Sequence, residues 1–266
     1  MANKRARDRQ LAKLAARRQA ERQARQRRRA QIIGGVAGLA VVGLAVVGVF
    51  ALRDNGTPSA TPRPSASASA AAELCSSKVP KAAAGKKPTF KHAPEMTIDP
   101  KATYTATMTT SCGTIEMELY PDVAPIGVNN FVFLARQGFY DGLTFHRIVA
   151  GFAVQGGDPA GNGSGGPGYQ FQNEISKKVT FADAGMLAYA NAGVDTNGSQ
   201  FFITLAPEPA LDPTASASYT IFGKVTKGMD VVQKMGALPT TDNGQGELSV
   251  PTQPVYIDSV TIDEKN

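Results

Sequence analysis

The sequence predicts a mainly β fold: a closed eight-stranded antiparallel β-barrel with two helices, preceded by a single transmembrane helix and a flexible linker. Three features carry this reading. Short segments of period-two hydrophobicity recur between residues 103 and 262, separated by glycine turns. Only two stretches among them have helical spacing. Ahead of them stand 21 residues, 32–52, without a charged or strongly polar side chain.

Taken in order, residues 1–31 form a basic tail. They hold 12 of the 28 Lys and Arg but only Asp8 and Glu21 of the acids, a net +10 in a chain of net +6. The remainder therefore carries −4, and the basic pI belongs to the tail. A nucleic-acid function for the whole chain loses its main support. Residues 32–52 as a helix rising about 1.5 Å per residue span the roughly 30 Å of a hydrocarbon core. A cleaved signal peptide has a shorter apolar region with its cleavage site close behind, so a retained anchor is the favoured reading. The Arg cluster at 25–29 abuts the span, which places the tail in the cytoplasm and everything after residue 52 outside. Residues 55–72, NGTPSATPRPSASASAAA, read as an extended tether. The domain limits are thus 1–31, 32–52, 53–100 for linker and irregular approach segment, and 101–266 for the folded domain. On the oxidising side of a membrane Cys75 and Cys112 are candidates for a disulfide, with two free thiols as the alternative. Neither has the spacing of a redox motif or a zinc site.

Within the domain, residues 103–108 and 114–120 alternate around the turn Ser111-Cys112-Gly113 and predict a hairpin. Pro121 and Asp122 are expected to open a helix that Gly138 stops. Strands are expected at 143–148, 152–155, 186–190, 200–205, 219–225 and 255–262, with a second helix over 229–235 after Gly228. Closing eight such strands into a barrel removes exposed edges.

The stretch FHRIVAGFAVQGGD, residues 145–158, gathers Arg147, Phe152 and Gln155 in one short hairpin pattern. Asn191, Gln200 and Phe202 offer the same groups again. One permanent cation, neutral amides and aromatics make an inventory without nucleophile, general base or metal cluster. The two histidines, His92 and His146, have no triad motif around them, which argues against hydrolysis. The glycine-rich run 161–168 lacks the Lys-Ser/Thr and the strand-to-helix setting of a phosphate loop.

These residues, with LAYANAG at 187–193, DTNGSQFFIT at 195–204 and FGKV at 222–225, closely resemble the cyclophilin family of peptidyl-prolyl cis–trans isomerases. The resemblance covers about residues 104–262 and implies an eight-stranded barrel capped by two helices. It implies that Arg147 is the catalytic arginine, with Phe152, Gln155, Gln200 and Phe202 beside it at the catalytic site. Phe152, Phe202 and Leu211 match the proline pocket. Gln155, Ala190, Asn191 and Gln200 match the groove for the substrate backbone, and Tyr219 stands where many members have histidine. Two departures, Ala153 for a methionine and Ala210 for an aromatic, imply a shallower pocket. No cofactor and no metal is implied. The expected partners are proline-containing segments of unfolded or secreted proteins and, through 32–52, membrane lipid; nucleic acid is not expected. The expected activity is isomerisation of X–Pro bonds in extracytoplasmic proteins. A proline-peptide binding module or a membrane scaffold remains the alternative.

Overall fold

The structure is a computed structural model that describes residues 75–212 and 219–265. The basic tail, the span at 32–52 and the tether at 55–72 lie outside the described residues. Among the described residues, no helix is long and apolar enough to cross a membrane.

The expected hairpin is present as β1 (Thr103–Thr110) and β2 (Gly113–Leu119). Its alternation works as period two demands. Tyr104, Ala106 and Met108 point inward opposite Leu119, Met117 and Ile115, and all six are buried. Helix α1 (Pro125–Arg136) buries Val128, Phe131, Val132, Leu134 and Ala135. It begins at Pro125, not at Pro121. A start at Pro121 would leave Pro125 inside the helix, lacking its N–H and clashing with the carbonyl one turn back. Ala124 offers no side-chain cap. Glu174 supplies it from a distant loop, accepting from the Ile126 and Gly127 N–H groups at 3.0 and 2.8 Å.

There follow β3 (Arg147–Val149), β4 (Ala153–Gly156), β5 (Met186–Tyr189), β6 (Phe201–Thr204), β7 (Ile221–Lys227), α2 (Met229–Gly236), β8 (Thr240–Asp242), β9 (Leu248–Pro251) and β10 (Ile257–Lys265). Eight of the strands make one antiparallel sheet in the order β10-β1-β2-β7-β5-β6-β4-β3. The sheet curls on itself, but its ladder does not close, which corrects the expectation of a closed barrel. The strand expected at 143–148 is divided. Residues 147–149 ladder with β4, whereas Thr144 makes a lone bridge to Tyr256 and Phe145 donates to the Val255 carbonyl at 2.9 Å. The two ends of the sheet therefore meet through an irregular seam. The hairpin β8–β9, which forms its own small sheet, was not anticipated.

The large core lies inside the curl, where Phe131, Phe139, Tyr140, Phe145, Tyr189, Phe201 and Phe222 are fully buried. A smaller cluster lies on the other face of the sheet: Ala153, Phe181, Met186, Ala188, Phe202 and Ile221.

The segment before β1 is irregular but pinned. Cys75 and Cys112 form a disulfide, and Cys75 and Ile98 are buried in the large core. Phe90 packs edge-on against Phe133 at 4.9 Å. Asn129 on α1 accepts from the Thr97 N–H at 2.9 Å and donates to the Glu95 carbonyl at 2.9 Å. Gly142 turns with φ +74°, where an added Cβ would run into the backbone of Ala82 and Ala83. The bridge spans 37 residues of sequence, so replacing both cysteines with serine is expected to cost about 2–4 kcal/mol by releasing that loop in the unfolded chain. Urea unfolding of the full chain checks it; an unchanged midpoint would show that the non-covalent contacts of the segment suffice.

Candidate active site

Antiparallel register decides which side chains share a face. Across β3, β4, β6 and β5, Ile148 stands opposite Val154, Val154 opposite Ile203, and Ile203 opposite Leu187. All four are fully buried and face the large core. The adjacent row must face the other way. It reads Arg147, Gln155, Phe202 and Ala188, each opposite the next, with Ile221 of β7 beyond. The hairpin pattern in the sequence thus becomes a row of a cation, an amide and an aromatic on the outer face.

The groups at the strand ends complete the row. Phe152 precedes β4, and the Arg147 guanidinium carbon lies 5.9 Å from its ring centre. Gln200 precedes β6, and its backbone carbonyl accepts from the Ala190 N–H at 3.0 Å, just past β5. The amides are chained. Arg147 Nη1 donates to Gln155 Oε1 at 3.3 Å. Gln155 Nε2 donates to Gln200 Oε1 at 3.1 Å. Gln200 Nε2 donates to the Gly163 and Gly165 carbonyls, both at 2.9 Å. The buried Asp158 carboxylate gathers that glycine-rich loop by accepting from the N–H groups of Ala160, Asn162 and Gly163.

The apolar end of the row is an aromatic basin. Phe202 stacks on Phe181 at 5.9 Å with 14° between the rings, and meets Tyr219 edge-on at 5.5 Å. Leu211, on the short 3-10 turn Pro209–Leu211, and Ala190 pack against the same cluster. Ala153 is buried within it, while Ala210 is exposed. Asn191 lies further off, organising its own turn. It donates to Asn197 Oδ1 at 3.3 Å and accepts from the Gly193 N–H. It still borders a cleft that Gln155, Ala190 and Gln200 also line. The structure thus brings Arg147, Phe152, Gln155, Gln200, Phe202, Ala190, Leu211 and Tyr219 to one face, with Asn191 at its rim.

Two residues at the site were not anticipated. Phe181 backs Phe202; no strand or helix pattern marks it. Glu247, 100 residues after Arg147, holds the guanidinium by two bonds, from Nε at 2.8 Å and Nη2 at 2.6 Å. Arg147 holds the Glu247 carboxyl below the usual carboxylate range, and Ser249 helps. Glu247 sits on the β8–β9 hairpin, for which the turn sequence Asp242-Asn243-Gly244 before alternating Leu248-Ser249-Val250 was the available signal.

Comparison with known proteins agrees with this geometry. Residues 105–262 match the model of the family described as cyclophilin type peptidyl-prolyl cis-trans isomerase/CLD. A relative from Rhizopus delemar named peptidyl-prolyl cis-trans isomerase-like 1 is 53% identical over 137 residues, 50% of this chain and 81% of that protein. Its human counterpart is 50% identical over 134 residues, 49% of this chain and 78% of that protein. A crystal structure of a cyclophilin type isomerase from Cryptosporidium parvum, in the presence of the dipeptide Ala-Pro, aligns with TM-score 0.55 at 31% identity. That alignment covers 60% of this chain and 98% of the other.

His146 is close to the row in sequence but not part of it. Both ring nitrogens are buried without a hydrogen-bond partner. Burial lowers its pKa, Asp158 opposes that and Arg147 adds to it. The folded imidazole therefore resists a proton that the unfolded chain accepts below about pH 6.5. Between that value and the lower folded pKa the unfolded state binds more protons, so this group makes stability fall as pH falls. His146→Asn is expected to flatten that part of the slope. Urea midpoints of both proteins at pH 7.5 and 5.5 check it; equal losses would contradict the buried neutral imidazole.

Proposed function

This chain belongs to the cyclophilin family of peptidyl-prolyl cis–trans isomerases, and from that premise we propose how its outer-face row turns an X–Pro bond and where the protein acts. The two isomers of an X–Pro bond differ by only about 0.5–1 kcal/mol. The barrier between them, about 18–20 kcal/mol, is amide resonance. No bond is broken, so an isomerase needs neither nucleophile nor permanent proton transfer. It needs a site that fits the twisted amide better than either planar form.

The register row carries this reading, because it sets a cation, amides and an apolar basin side by side. The proline ring of the substrate rests on Phe202, between Phe152, Leu211 and Tyr219. The Ala-Pro dipeptide present with the Cryptosporidium parvum relative supports a proline ligand here. Gln155, Gln200 and Asn191 hold the flanking backbone as neutral partners, with Ala190 shaping the groove. Arg147 donates to the proline nitrogen or to the rotating carbonyl as resonance is lost. A guanidinium is a permanent cation with five N–H donors, so this donor is always ready. Placed in advance, it stabilises charge as it develops.

The substrates we propose are proline-containing segments of secreted or cell-surface proteins. The uncharged run at 32–52, the Arg cluster at 25–29 and the Cys75–Cys112 disulfide support a single-pass anchor with the isomerase domain outside the cytoplasm.

Isomerisation of a short X–Pro peptide tests the role of Arg147. Arg147→Ala is expected to lower kcat/KM by about 10²–10³. Its fold should be nearly unaffected, since the ion pair it loses is partly exposed. An Arg147→Ala variant as fast as wild type would remove Arg147 from the chemistry. Peptide binding without acceleration by wild type would favour a proline-binding module.

A further inference from the structure

Arginine is a long, flexible side chain, and Arg147 begins a strand of only three residues at one end of the sheet. Its bonds to the amide row do little to fix it. The single contact to Gln155 is 3.3 Å long, at the weak end for a hydrogen bond. The strong contacts come from the β8–β9 hairpin. Glu247 takes the Nε and Nη2 edge of the guanidinium in a two-pronged, charge-assisted pair.

That carboxylate is itself held. Asn243 Nδ2 donates to Glu247 Oε2 at 3.4 Å, and Ser249 bonds it as well. The turn below is packed with local bonds. Asp242 Oδ1 accepts from the Gly244 and Gly246 N–H groups, and Asn243 Oδ1 from those of Gln245 and Glu247. Gly244 and Gly246 have φ of +83° and +87°, a conformation other residues adopt at a cost. The hairpin is thus built to deliver one carboxylate to one place.

The edge it uses matters. An inhibitory contact would cover the side of Arg147 that faces the amide row. Glu247 covers the opposite side and leaves the Nη1 end toward Gln155. From this arrangement we infer that Glu247 is a positioning residue for the isomerase reaction: it fixes the guanidinium plane so that the Nη1 end of Arg147 stays presented to the substrate. The inference rests on the role given to Arg147 above. Glu247 touches no substrate. It acts by removing the rotamers in which the arginine swings away, so its effect falls on turnover more than on peptide affinity.

The test compares full-length wild type, Glu247→Gln, Arg147→Ala and the double variant on one X–Pro peptide, with the Arg147 Nε–H resonance as a second readout. Glutamine keeps the shape but loses the charge and one of the two acceptor oxygens. Glu247→Gln is expected to lower kcat about tenfold with KM within twofold, and to lose the shifted, slowly exchanging Nε–H resonance. In the Arg147→Ala background it should add nothing. Equal or faster turnover by Glu247→Gln would overturn the inference while an impaired Arg147→Ala kept the role of Arg147 intact. A further loss in the double variant would overturn it too, since Glu247 would then act through something else. An Arg147→Ala variant as active as wild type would instead be a failure of the function proposed above, and the positioning role would fall with it.

Discussion

Antiparallel register between four short strands is the constraint on which the site depends. Side chains on neighbouring strands that stand opposite one another must share a face, and the next row must share the other. The inner row, Ile148, Val154, Ile203 and Leu187, is fully buried. A slip of one residue in β3, β4 or β6 would move one of these off the large core and bring Arg147, Gln155 or Thr204 into it. At about 25 cal/mol per Å² of apolar surface, that exchange is costly enough to fix the register. The outer row follows, its apolar end buried in the smaller cluster and its polar end open. Arg147, Gln155 and Phe202 are placed together because their neighbours are hydrophobic, which frees them to be chosen for chemistry.

The chemistry then selects unusual side chains. Most catalytic clefts gather groups whose pKa must be tuned, and burial supplies the tuning. Rotation about an amide asks only for a donor and for shape. In the mechanism proposed above, a guanidinium that is always charged, glutamines that never are and rings that grip proline are sufficient. The site can therefore stand open on the outer face of a sheet. Arg147 is about a third exposed, and its carboxylate partner is held ionised by the pair itself. His146, whose pKa burial lowers, is given no part in the proposed chemistry.

How much of this was legible in the sequence depended on the range of each contact. The β1–β2 hairpin was local, and its alternation and turn sufficed. Arg147 and Gln155 were eight residues apart and readable as a hairpin; Gln200 and Phe202 stood out as the same kinds of group, and their roles came with the family resemblance. Glu247 could not be read in the same way. Its partner lies 100 residues earlier, and neither a lone glutamate nor a lone arginine marks the other. The cap of α1 escaped for the same reason: Glu174 reaches it from 47 residues beyond Gly127. The helix start moved from Pro121 to Pro125 because two prolines competed and only the later one leaves the helix uninterrupted. The closed barrel failed at one seam, where residues 143–149 divide their hydrogen bonds between the two ends of the sheet. Period-two patterning sees such a stretch as one strand, since it registers which side chains are buried and not which carbonyl each N–H meets.

The approach segment shows how residues outside the family match bear on the site within it. The match begins at residue 105, yet the chain is tied to the domain from Cys75 onward. The Phe90 N–H donates to the Pro167 carbonyl at 2.8 Å, in the loop whose Gly163 and Gly165 carbonyls hold Gln200. The Phe90 ring meanwhile packs on α1 through Phe133. One backbone bond and one ring therefore link the segment, the helix and the loop that sets the end of the amide chain. Loops usually open more easily than the elements they join. This loop is held from below by Asp158, from the site by Gln200 and from outside by Phe90. The last of those holds depends on an irregular segment staying in place, and an irregular segment has no ladder of its own to keep it there. The disulfide at its start, the Asn129 bonds and the buried Ile98 do that work instead. Order at one end of the amide row thus rests in part on residues that no strand or helix contains.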